Sequence, residues 1–154
     1  MDQEFFEKET EACAGLLYRV AYTILRNDAD CQDAVQEALL KAWIKRNQLK
    51  NAQHFRTWLV RIMINAINDI LRKRSRVVPL EIITELSEDF PDPALSEALG
   101  KLPEKLRLPL MLRYSENLTY KEIGHVLHIP VTSVQSRLRQ GKAWLRKELD
   151  EDEA

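Results

Sequence analysis

Ser133, Gln135, Ser136, Arg139 and Gln140 recur on one side of a helical pattern near the C-terminus. Their side chains suit base recognition: in a major groove Gln can pair bidentately with adenine and Arg with guanine. Such residues need a helix whose opposite side is buried. Val134, Leu138, Gly141 and Leu145 recur at helical spacing and predict that buried stripe, with Ile123, Leu127 and Ile129 as apolar partners. Two helix-start signals lie thirteen positions apart, Thr119 to Glu122 and Thr132 to Gln135. Both fit the capping box, in which a Thr hydroxyl and a Glu or Gln three residues later satisfy orphan backbone donors. Leu118 and Ile123 can staple the first helix, and Pro130 limits its length. The pattern predicts a helix-turn-helix that binds DNA; the alternative is a small helical hairpin with a solvated face.

Charge is distributed in blocks that the net charge of −1 conceals. Residues 1–44 hold four basic and nine acidic side chains, and residues 45–76 hold nine basic and only Asp69 acidic. Residues 77–100 carry six acids and no base, residues 101–149 ten bases and four acids, and Asp150 to Glu153 are all acidic. Two basic blocks around an acidic one point to two nucleic-acid surfaces joined by a self-screening linker, with solvated helix faces as the alternative.

Other chemistries find little support. His125 and His128 could share a helix face, but no acidic or Cys ligand lies near them in sequence, so no metal is expected. No Gly-rich phosphate loop, nucleophile motif or acid pair appears, so neither a cofactor nor an enzymatic activity is expected. Cys13 and Cys31 form no CxxC pair and read as two buried thiols. No apolar run is long enough to span a bilayer, and the acidic N-terminus lacks the layout of a signal peptide; a cytoplasmic protein without membrane insertion is expected.

At 154 residues and 45% hydrophobic, the chain can build one core or two small ones. Phe5, Phe6, Cys13, Leu16, Leu17, Val20, Ile24 and Leu25 mark a first helix ending at Arg26-Asn27-Asp28. A second begins near Asp28 or Asp30 and turns Val35, Ala38, Leu39, Ala42 and Trp43 inward. Residues 46–53 read as a loop, and a long helix spans about His54 to Arg76 with Phe55, Trp58, Leu59, Ile62, Ala66, Ile67, Ile70 and Leu71 on its apolar side. Pro79, Pro91 and Pro93 mark an irregular linker. A second domain starts near Ala94, with Gly100 and Pro103 punctuating two short helices and Pro109 expected to kink one of them. The expected architecture is all-α: a domain over residues 1–76, an acidic linker over 77–93, a helix-turn-helix domain over 94–150 and an acidic tail over 151–154.

These residues carry a resemblance covering nearly the whole chain. The run Asp30 to Ala38, the stretch His54 to Asn65 followed by Asp69 and Leu71-Arg72-Lys73-Arg74, and the segments Leu102 to Lys105 and Tyr120 to Leu145 resemble, in this order, bacterial RNA polymerase sigma factors of the extracytoplasmic-function type. The resemblance implies a transcription initiation factor that binds core RNA polymerase, through its largest and second-largest subunits, and directs it to promoter DNA. Asp33, Gln36 and Glu37 are implied to contact the clamp helices of the largest subunit. The long basic helix is implied to open the minus-10 element, with Asn65 near a flipped base in a pocket walled by Gln48 to Gln53, and with Arg61, Arg72, Lys73, Arg74 and Arg76 along the backbone. Trp58 fits either a core position or a stacking platform.

Positions 135, 136, 139 and 140 match the family's minus-35 reading face, and Arg137 and Lys142 are implied phosphate contacts. The chain departs from the family pattern at Gln135 and Gln140, where basic residues are frequent, and at His128 and Thr132, where Gly is usual. The two Gln residues are expected to shift readout toward adenine. The acidic linker resembles the segment that threads the polymerase's RNA exit path; a flexible tether reads equally well. The resemblance also implies an anti-sigma factor as partner. The competing function is a stand-alone helix-turn-helix regulator.

Overall fold

The computed structural model describes residues 1–75, 98 and 100–153. The linker expected over 77–93, the domain start at Ala94 and Arg76 lie outside them. The chain divides into two compact units between Ile83 and Thr84, and the regular structure among the described residues is helical.

In the first unit α1 (Gln3–Leu25), α2 (Asp28–Lys45) and α3 (Phe55–Ser75) pack pairwise against one another. The Asp2 carboxylate accepts the Phe5 amide at 2.8 Å and starts α1. Arg26 ends it by turning left-handed, φ 54°, with its amide donating to the Tyr22 carbonyl. Asn27 then caps α2 by accepting the Asp30 amide at 3.1 Å. Two residues therefore stop one helix and start the next, where the sequence places the break.

The core of this unit is uneven in side-chain size. Leu17 and Val20 of α1 and Phe55, Leu59, Met63 and Ile67 of α3 are almost wholly buried, whereas α2 buries Cys31, Ala34, Ala38 and Ala42. Alanines four residues apart lie on one helix face and let neighbouring backbones come close. Val35, Leu39 and Trp43, expected inward, are therefore only half-buried at the flanks of that row. Burial pushes the Cys31 thiol up to about 11, and neither cysteine is in a disulfide. The loop after α2 holds two single 3₁₀ turns, Arg46–Gln48 and Ala52–His54.

In the second unit α6 (Val131–Glu153) packs on both α4 (Glu104–Tyr114) and α5 (Tyr120–Leu127). The Pro103 carbonyl accepts the Leu106 and Arg107 amides at 2.9 and 3.0 Å and opens α4. Pro109 lies buried inside α4, which continues past it to Tyr114. Glu151 to Glu153, expected as part of a tail, continue α6.

One sequence expectation is overturned in the helix-turn-helix. The first capping box forms: Thr119 Oγ1 accepts the Glu122 amide at 3.1 Å, and Glu122 Oε1 accepts the Thr119 amide at 2.9 Å. The second does not form. The Pro130 carbonyl accepts the Ser133 and Val134 amides at 3.0 and 3.1 Å, so α6 starts at Val131 and Thr132 already lies in its first turn. The preceding turn is the reason. His128 closes α5 in the left-handed region, φ 57°, and the Ile129 amide donates back to the Gly124 carbonyl at 3.0 Å. That reversal brings Pro130, which has no amide to satisfy and a preset φ, to the head of the helix.

Glycine permits two close approaches in this unit, that of α5 to the turn that follows it and that of α6 to α4. A Cβ on Gly124 would stand 2.8 Å from the Ile129 carbonyl oxygen, and one on Gly141 would stand 2.7 Å from Leu110 Cδ1. Gly124→Ala should lower stability by about 1–3 kcal/mol through that backbone clash, although Ala favours a helix by roughly 1 kcal/mol over Gly. Urea unfolding followed by circular dichroism checks this; an unchanged midpoint would show that the turn accommodates a side chain.

Candidate nucleic-acid and partner interfaces

The outward face of α2 is built by the alanine row on its other side. Asp33, Gln36, Glu37, Leu40 and Ile44 follow at intervals of three and four, so they share a face. Asp33 and Gln36 are exposed. Leu40 and Ile44 are 61% and 68% exposed, a large apolar surface in line with the acids. Family resemblance points to the polar three and not to these two. Their signal was available: two big aliphatic residues four apart that fall off the buried stripe.

Along α3, Trp58, Arg61, Asn65 and Arg72 fall on one strip at helical spacing, and the structure adds Asn68 to it. Asn65, Asn68 and Arg72 are exposed and Arg61 is half-exposed. Trp58 is half-buried, its ring 5.7 Å from that of the buried Phe55, so it forms the edge of an aromatic cluster in which Phe6 meets Trp43 at 5.1 Å. Arg46 lies 3.8 Å over the Trp43 ring and donates to the Trp43 carbonyl at 2.7 Å, which pins the start of the loop ahead of α3. Gln48, Lys50, Asn51 and Gln53 of that loop are exposed.

The basic end of α3 is tied to α2. Lys41 Nζ donates to Glu37 Oε1 and to Asp69 Oδ2, each at 3.1 Å, and Arg72 donates to the other Asp69 oxygen at 2.9 Å. Arg74 pairs with Asp30 at the start of α2, so it leaves the strip that holds Arg61, Asn65 and Arg72. Lys73 is exposed. The Glu37 hydrogen bond, with help from Asp69, raises the Lys41 pKa, and the hydrogen bond from Lys41 lowers that of Asp69.

On α6, Gln135, Arg139, Gln140 and Lys142 are exposed, and Ser136 and Arg137 are half-exposed. Val134, Leu138 and Gly141 are buried beneath them as the spacing predicts, while Leu145 is half-buried. Of the expected apolar partners Ile123 is fully buried and Leu127 and Ile129 are half-buried; Val126, which the pattern missed, completes the core. Gln140 Nε2 donates to Ser136 Oγ at 3.1 Å, which holds two of the polar groups of this face together. Lys142 Nζ lies 5.0 Å from the Tyr114 ring and Arg113 lies 5.0 Å over Tyr120, so cations border the helix on aromatic supports. Arg137 stands to one side of the Gln135 to Arg139 strip by its helical position. His125 and His128 are both exposed, and among the described residues no group of three or more His, Cys, Asp or Glu is placed to hold a metal ion. No helix among the described residues is long and apolar enough to cross a membrane.

Fold and surfaces together define an all-helical protein of two units, the second a helix-turn-helix with a polar, cationic recognition face. Comparison with known proteins agrees with that description. Residues 10–77 match the family model of Sigma-70 region 2 and residues 93–145 that of Sigma-70, region 4. The sequence is 30% identical to the ECF RNA polymerase sigma factor SigW of Bacillus subtilis, over 96% of this chain and 90% of SigW. It is 28% identical to the RNA polymerase sigma factor SigV of the same species, over 88% and 86% of the two chains. The sigma factor RpoE, solved in complex with the anti-sigma factor NepR from Bartonella quintana, shares the fold with a TM-score of 0.81 at 20% identity, over 94% of this chain and 96% of RpoE. CnrH, solved with the cytosolic domain of CnrY, gives 0.73 at 24% identity, over 98% and 91%. The chain belongs to the extracytoplasmic-function family of RNA polymerase sigma factors. It is thus a transcription initiation factor that directs RNA polymerase to promoters, and sigma factors as a class are regulatory proteins rather than enzymes.

The Lys41 bridge has a defined pH signature. Asp69, with a lowered pKa, adds stability above the ordinary carboxylate range and loses it as pH falls through its folded value; Lys41, with a raised one, adds stability below the ordinary lysine range and loses it as pH rises through its folded value. The stabilisation therefore spans neutral pH. Both groups are partly exposed, so solvent screening limits it to about 0–1 kcal/mol. Lys41→Met should lower the urea midpoint slightly at neutral pH, with the gap to wild type closing as the carboxylates protonate.

Proposed function

We propose that the two units divide promoter recognition between them, with the outward face of α2 docking on polymerase, the α3 strip engaging the minus-10 element and α6 reading the minus-35 element. The observation that carries the first assignment is the exposure of Leu40 and Ile44 beside Asp33, Gln36 and Glu37. Buried in a complex, the two aliphatic side chains supply affinity, while acids around them meet Arg or Lys of the clamp helices and set register and on-rate.

Strand opening without ATP needs the lost stacking replaced by capture of unpaired bases and phosphates. Asn65 and Asn68 offer amides for bases, Trp58 an aromatic edge, and Arg61, Arg72 and Lys73 cations for the backbone. Arg74 joins them by exchanging Asp30 for a phosphate. In the duplex, Gln135, Ser136, Arg139 and Gln140 face base edges while Arg137 and Lys142 take phosphates. The work is done in the cytoplasm, where polymerase and promoters are. Because RpoE was solved with the anti-sigma factor NepR, an anti-sigma factor competing for these faces fits this chain too.

The deciding experiment adds the full chain to sigma-free core polymerase and maps transcripts. A defined start site is expected, and Leu40→Asp should abolish core binding while leaving helical content intact. Folded protein that never binds core would overturn the reading in favour of the stand-alone regulator. On promoters carrying single base changes, Gln135→Ala should lose discrimination at one position by about 1–3 kcal/mol; an equal loss on every variant would remove base readout from Gln135.

A further inference from the structure

The early start of α6 changes what its first turn can do. Were Thr132 the cap, its hydroxyl would be bound to the Gln135 amide; instead the Pro130 carbonyl serves that turn. Thr132 is exposed, and its hydroxyl makes no side-chain hydrogen bond among the described residues. Val131, the first residue of the helix, is 38% exposed, while the next two apolar residues, Val134 and Leu138, are buried. Val131 lies four residues before Gln135, and Thr132 lies three before Gln135 and four before Ser136. Both therefore extend the base-facing strip toward the end of the helix that enters the groove first.

We infer that Val131 and Thr132 are specificity residues that select a thymine, through its C5-methyl group, next to the base read by Gln135. The inference rests on the proposed placement of α6 in the major groove. Methyl groups have one apolar complement among the major-groove edges, the thymine methyl. Both side chains are β-branched, and in a helix their χ1 freedom is already restricted, so positioning these methyls costs little further entropy. Gln135 and the branched pair are neighbours at the start of the strip, so an adenine beside a thymine is the matching step.

The test uses holoenzyme, reconstituted from the full chain and core polymerase, on a promoter duplex that it selects from a randomised library. Each thymine of the upstream element is replaced singly by deoxyuridine, which removes only the methyl group. One position is expected to lose affinity about fourfold with wild type, the value of one buried methyl. Val131→Ser combined with Thr132→Ser should show no loss at that position, and Thr132→Val should keep it. Thermal unfolding of each variant monitors the fold, and an unfolded variant is replaced by Val131→Thr, which keeps one of the two methyls. No methyl-sensitive thymine, or the same sensitivity in the double variant, would overturn the inference while leaving the proposed function standing. Failure to select any promoter would overturn the proposed function itself.

Discussion

Close approach of helices at small side chains is the constraint on which both units depend. In the first unit Ala34, Ala38 and Ala42 form the whole inner ridge of α2 with Cys31, so the volume of the core comes from α1 and α3. In the second, Gly124 and Gly141 do the same for α6, one against the Ile129 backbone and one against Leu110. In an interior packed to crystal-like density an added methyl would displace backbone at Gly124 and the Leu110 side chain at Gly141.

The working surfaces are a consequence of that packing. α2 fully buries only Cys31 and three alanines, with Val35, Leu39 and Trp43 half-buried beside them, and its two remaining large residues, Leu40 and Ile44, face outward among acids. A helix held at glycines lies close against its partners, and α6 thereby keeps one narrow buried stripe and a broad polar face. The faces proposed for function are the sides of helices that the core does not need.

Electrostatics links the faces. Residues 45–76 carry a large positive excess, and the one acid among them, Asp69, sits between Arg72 and the Lys41 that also holds Glu37. Arg74 is likewise held by Asp30. Exposed pairs of this kind are weak, so phosphates can displace them at small cost while the pairs position the side chains beforehand.

Periodicity and punctuation were enough to place the helices of the first unit within a residue or two, the first capping box and the stripe of Val134, Leu138 and Gly141, because these are local properties of helical spacing and of single turns. The polar face at 135–142 was legible for the same reason, whereas those at 33–37 and 61–72 were singled out by family resemblance. Local pattern misassigned the second capping box, since Thr132 and Gln135 have the right types and only the reversal at His128, locked by hydrogen bonds to the Gly124 carbonyl, decides which residue heads α6. It also could not tell that Leu40 and Ile44 stay outside or that Arg74 turns to Asp30, because those outcomes depend on which face a neighbouring helix covers and how closely. The sequence by itself thus determined the helices, the first capping box and the chemistry each face carries; tertiary structure alone decided which residue heads α6 and which face stays open, because a reversal and burial are properties of the packed helices together and not of any one of them.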